Sequence, residues 1–146
     1  MSKEKKLIFK SKPNDPASHY AETKISKFYI EEFGDDMLLC GTNICDEMFY
    51  NKPIDYVVSR AQNKHDYITG RIKILIPEDF TENVYEGSYS ASVNLGFEFK
   101  VLLCYNSTLK SWAIYANDFF NFPKERIREL EDAKHLVIKT LKNLIK

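Results

Sequence analysis

The tripeptide Glu98-Phe99-Lys100 is the one short pattern in this chain with a specific chemical use. Alternate side chains of an extended segment share a face, so Glu98 and Lys100 project together. Metal-dependent nucleases use an E-x-K element in this way: the carboxylate holds a divalent cation and the ammonium stands beside the scissile phosphate. An upstream acid, here Asp79, would complete the oxygen ligands of the ion. The same residues also continue a polar strand face already set by Ser90, Ser92 and Asn94. The alternation favours that solvated face over a nuclease centre.

Other chemistry finds less support. His19, His65 and His135 lie far apart in the chain, and Cys40, Cys45 and Cys104 offer only a loose C-x4-C, so no metal site is expected. Cys45 stands beside Asp46 and Glu47, whose charges disfavour a thiolate, and Cys104 sits in an apolar run that reads as core. There is no G-x-S-x-G elbow to suggest a nucleophilic serine. The five glycines stand apart and form neither GxGxxG nor GxxxxGK, so no nucleotide cofactor is expected from those folds.

Charge is balanced overall, with 21 Lys and Arg against 21 Asp and Glu, so no global field draws the chain to nucleic acid or an anionic membrane. It is segregated locally. Glu31, Glu32, Asp35, Asp36, Asp46 and Glu47 occupy a stretch without Lys or Arg, a candidate surface for a protein partner with a basic face. A solvated helix end and loop is the plainer account of such a run. Lys3, Lys5, Lys6, Lys10 and Lys12 crowd one end of the chain, and Lys134, His135, Lys139, Lys142 and Lys146 the other. If the two ends meet they form a basic patch. Lysines without arginines or stacking aromatics are a weak basis for nucleic-acid recognition.

The elements that must position these residues follow from hydrophobic period. Residues 16–33 read as a helix: Asp15-Pro16 supplies a cap and first position, Ala17, Ala21, Ile25, Phe28 and Phe33 recur at near-helical steps, and Gly34 ends it. A short strand is expected near residues 7–10. Residues 35–52 stay open between strand and helix. Pro53 opens a short helix reaching about Gln62 on Ile54, Val57, Val58 and Ala61. Residues 67–76 alternate and predict a strand with Ile68, Ile72, Ile74 and Ile76 on one face. Residues 89–105 alternate over so long a run that the strand must bend or split at Gly96. Asn106-Ser107-Thr108 turns the chain into a further strand at 111–117, and Asn121-Phe122-Pro123 opens a long helix striped by Ile127, Leu130, Val137, Leu141 and Leu144.

A chain of 146 residues suits one globular domain burying about 68–70% of its unfolded surface. The expected class is α+β: an antiparallel sheet of four to five strands, flanked by an N-terminal helix and packed against the long C-terminal one. A helix-grip cup closing around the C-terminal helix is the alternative layout. The start MSKEKKLIFK lacks a secretory apolar run, three cysteines suit a reducing compartment, and no stretch reaches 18 apolar residues. A cytoplasmic, non-membrane protein is therefore expected. The leading functional expectation is a non-enzymatic binding protein, such as an inhibitor, immunity or counter-defence factor, without a cofactor. A nuclease using Asp79, Glu98 and Lys100, and a carrier of a small hydrophobic ligand, are the alternatives.

Overall fold

The structure, a computed structural model, describes residues 6–42, 44–97, 99–116, 122 and 126–146. The fold is α+β and consists of two antiparallel meanders, each followed by a helix. Strands β1 (Lys10–Lys12), β2 (Asp15–Glu22), β3 (Lys27–Phe33), β4 (Asp36–Gly41) and β5 (Glu47–Phe49) pair in chain order and lead into α1 (Ile54–Lys73). A single 3-10 turn at Pro77–Asp79 then opens the second meander. It comprises β6 (Thr81–Tyr85), β7 (Ser88–Gly96), β8 (Phe99–Asn106) and β9 (Ser111–Tyr115), and α2 (Leu130–Leu144) follows. The strands thus form two separate sheets, and no single sheet wraps α2 as a helix-grip cup would require.

Residues 16–33, expected as a helix, are instead the hairpin β2–β3, with Tyr20 opposite Tyr29 and Ala21 opposite Phe28. The helix-start signal is physically present but put to another use. One Asp15 carboxylate oxygen accepts the Ala17 amide at 3.1 Å and the other accepts the Ser18 hydroxyl at 3.1 Å, a local turn that launches a strand. Between the strands, the Thr23 hydroxyl accepts the amides of Ile25 and Ser26 and reverses the chain. Gly34, at φ 63°, makes the tight connection to β4, so its left-handed conformation serves a hairpin and not a helix end. The short strand expected at 7–10 falls at Lys10–Lys12, and the open stretch 35–52 contains β4 and β5.

The strand expected at 67–76 is the second half of α1. Val57, Ala61, His65, Ile68, Ile72 and the following Leu75 are all buried, and their steps of four and three residues trace one stripe along a helix. Ile74 and Ile76, which a strand would place beside Ile68 and Ile72, are exposed. A helix of this length runs roughly 30 Å. It therefore serves both sheets: Val57 and Ala61 pack with Phe28, Ile30 and Leu39 of the first, while Ile68, Ile72 and Leu75 pack with Val93, Leu95 and Val101 of the second.

The long alternation at 89–105 splits at Gly96 into β7 and β8, with Val93 opposite Val101 and Ala91 opposite Leu103. Asn106 accepts the amides of Thr108 and Leu109 with its side chain and turns β8 into β9. Strand β6 went unforeseen because it is an edge strand exposed at all five positions and carries no alternation. Helix α2 lays Ala133, Val137 and Leu141 on the second sheet. It begins later than expected. Residues 121 and 123–125 lie outside the described residues, and Ile127 is extended, its carbonyl accepting the Trp112 amide at 2.7 Å.

Two substitutions distinguish the helical stripe from the alternating pattern. Ile72→Ala should cost about 2–5 kcal/mol in urea denaturation, as for a buried isoleucine. Ile74→Ala, on the solvent side, should stay within about 0.5 kcal/mol; equal losses at both positions would contradict the helical assignment. Gly70 lies inside the helix, and a Cβ there would meet nothing within 4 Å. Gly70→Ala should therefore stabilise the protein by about 0.5–1 kcal/mol.

Candidate ligand groove

A cavity of about 740 Å³ opens where the N-terminal segment, the β2–β3 turn, α1 and the last turn of α2 come together. Each wall has a local cause. The N-terminal segment is tied to α1 by the Leu7 amide, which donates to Gln62 Oε1 at 2.6 Å, and by burial of the Leu7 side chain. Gln62 is itself oriented through its amide nitrogen, which donates to Asp66 Oδ1 at 2.8 Å. The Thr23 turn carries Ile25 and Lys24 to the opposite wall, and Ala21, small and buried, leaves room between them. Leu144 and Ile145 add an apolar edge.

The floor is supplied by successive turns of α1: His65, Thr69 and Lys73 line the cavity at four-residue spacing. His65 is 5% exposed, stands edge-on to Phe28 with ring centroids 6.3 Å apart, and its Nδ1 has no hydrogen-bond partner among the described residues. Burial pushes the imidazole below its ordinary pKa, with the Asp66 carboxylate pulling the other way, so the ring is neutral at neutral pH. The Thr69 hydroxyl donates to the Asp66 carbonyl at 3.1 Å. Immediately before His65, the buried Lys64 lies 3.6 Å from Glu47 and 4.6 Å above the Phe97 ring, a charge held by a carboxylate and a π-face. The rim of the cavity carries Lys6, Lys10, Lys24, Lys73 and Lys146 against the single acid Glu22. Lys6, Lys10, Lys24 and Lys73 are exposed and make no ion pair among the described residues.

The residues singled out from sequence are distributed otherwise. Glu31 faces Lys12 at 3.6 Å and accepts the Ser18 hydroxyl, whereas Glu32, its neighbour on β3, bonds His19 at 2.7 Å. Glu47 is flanked by Lys64 and by Arg60 at 3.8 Å, and Asp36 accepts the Asn51 amide. Asp35 and Asp46 are exposed. Lys134 departs from the expected basic patch: it is buried, bonded to Glu82 and Glu131 at 3.2 Å each. Those carboxylates outweigh its burial and keep its pKa raised. Asp79 accepts the Ile76 amide at 3.0 Å, Lys100 is exposed on β8 opposite Asn94, and Glu98 lies outside the described residues. No group of three or more His, Cys, Asp or Glu is placed to hold a metal ion among the described residues. Burial, then the Asp46 and Glu31 carboxylates, push the Cys40 thiol up and keep it protonated.

The terminal lysines do meet in part, since Lys6 and Lys10 share the groove with Lys146. Their clustering at both ends of the chain was the available signal. His65, Thr69, Lys24 and Lys73 had none, because each stands alone in the sequence. No helix of the described residues is long and apolar enough to cross a membrane. Comparison with known proteins yields no matching family, no matching curated protein and no matching solved structure.

The state of His65 gives a pH dependence. Its folded pKa lies below the unfolded value of 6.5, so the unfolded chain takes up the proton more readily and stability falls as pH drops below that value. The midpoint of thermal unfolding should decline from pH 7.5 to 5.5, and His65→Leu should make that decline shallower. An unchanged slope in the variant would remove His65 as its source.

Proposed function

We propose that the protein is a non-enzymatic binding protein and that its ligand site is the groove between the N-terminal segment, α1 and the end of α2. The observation that carries this reading is the cavity of about 740 Å³ with a mostly apolar lining to which α1 contributes His65 and Thr69. Small-molecule sites are commonly concave, mostly apolar and about 300–1,000 Å³, with a few polar groups that fix orientation.

Supporting a groove over an acidic docking surface is the engagement of Glu31 and Glu47 by cations of their own chain and the hydrogen bond of Glu32 to His19. Charges already paired contribute less to steering a partner. A carrier or sensor of a small molecule is therefore favoured over an inhibitor that docks through the 31–47 stretch.

Titration with the neutral, environment-sensitive dye Nile red should reveal one site per chain. Ile145→Trp, which places a bulky ring at the groove wall, should weaken it at least about tenfold while leaving the circular dichroism spectrum unchanged. Dye binding that is absent, or indifferent to the filled groove, would refute the assignment.

A further inference from the structure

We propose that the groove selects a single-chain amphiphile with an anionic head, a carboxylate or phosphate. The inference rests on the groove being the ligand site and adds the chemistry of what enters it. Two features of one cavity carry it. Its interior is largely hydrocarbon: Leu7, Ala21, Ile25, Leu144 and Ile145 line it alongside Tyr20, Thr23, His65 and Thr69, and the Thr23 and Thr69 hydroxyls already have acceptors. Its rim is cationic, with five lysines against Glu22.

Four buried or half-buried cations elsewhere in the chain are matched within it. Lys12, Lys64, Arg60 and Lys134 each have a carboxylate of this chain within 4 Å. Lys6, Lys10, Lys24 and Lys73 have none among the described residues, although the chain as a whole carries as many acids as bases. Four cations left without counter-charge around one apolar mouth form a site complementary to an anion attached to an apolar body. A neutral hydrophobe would leave the rim unused. A compact polar anion would leave the interior unfilled, and a nucleotide base would find few donors and acceptors on the floor.

The flexible lysine side chains suit a head group of variable shape, since an ammonium acts as a point charge and imposes no bidentate geometry. The neutral His65 in the floor adds a polar contact without a second buried charge. Affinity should therefore have two separable parts. Chain length should set the apolar part at about fourfold per buried methylene. The lysines should set a part that weakens with salt.

The test is displacement of Nile red by dodecanoate and decanoate, each below its critical micelle concentration, and by 1-dodecanol below its solubility limit, on the wild-type protein and on Lys24→Glu/Lys73→Glu. Both substituted residues are exposed, so folding should survive, as an unchanged circular dichroism spectrum would show. Dodecanoate should bind about sixteenfold tighter than decanoate and at least about tenfold tighter than dodecanol. The double variant should lose that preference while still binding dye, and 0.5 M NaCl should reduce it in the wild type. Equal affinity for dodecanoate and dodecanol, or a preference unchanged in the double variant, would overturn the anionic selectivity and leave the groove reading standing. Failure of the dye itself would instead sink the groove. Co-sedimentation with anionic phospholipid vesicles, without binding of free dodecanoate, would assign the lysines to a membrane surface and reject the proposal.

Discussion

The buried stripe of α1 is the constraint on which the two halves of the molecule depend. A meander with one apolar face cannot stand alone in water; it must bury that face against another element. Here one helix serves two sheets in sequence. Its first turns bury Val57 and Ala61 against the five-stranded sheet, and its last bury Ile68 and Ile72 against the four-stranded one. Each such isoleucine contributes about 1.5–3 kcal/mol by leaving water. The geometry of one half is thereby transmitted to the other along a rigid rod, and α2 completes the second core from the side of α1.

Between the two apolar segments of that helix lies a polar band. Lys64 and His65 are buried where the cores approach each other, one matched by Glu47 and Phe97, the other set against Phe28. An apolar residue would serve a purely structural join at less desolvation cost. The retention of an imidazole whose Nδ1 is unsatisfied, at a cavity lined by four different segments, links the architecture to the binding site. Helix α1 both joins the sheets and presents His65, Thr69 and Lys73 along one side to the groove.

Legibility in the sequence followed how far a pattern was protected from imitation. The alternation was unmistakable because polar or small residues alternate with apolar ones from Tyr89 to Val101, and the hairpin through Asn106 followed from local turn chemistry. The isoleucines at 68, 72, 74 and 76 were ambiguous, because a step of four satisfies both a strand face and a helix face. Only the burial of Leu75 and the exposure of Ile74 decide between them. Ala17, Ala21, Ile25 and Phe28 imitate a helix for a related reason. Ala17 and Ala21 lie on β2, Phe28 on β3 and the buried Ile25 in the turn between them, whose length happens to preserve near-helical spacing.

By itself the sequence determined the α+β class, the hairpin through Asn106 and the C-terminal amphipathic helix. Each rests on residues near one another in the chain, where period and turn chemistry act directly. Only the tertiary structure decided that Lys6 and Lys10 meet Lys146, that Lys24 and Lys73 join them, and that His65 lies beneath. Those residues come from separate elements, and their meeting is set by how α1 packs between two sheets, a long-range outcome that no local pattern encodes.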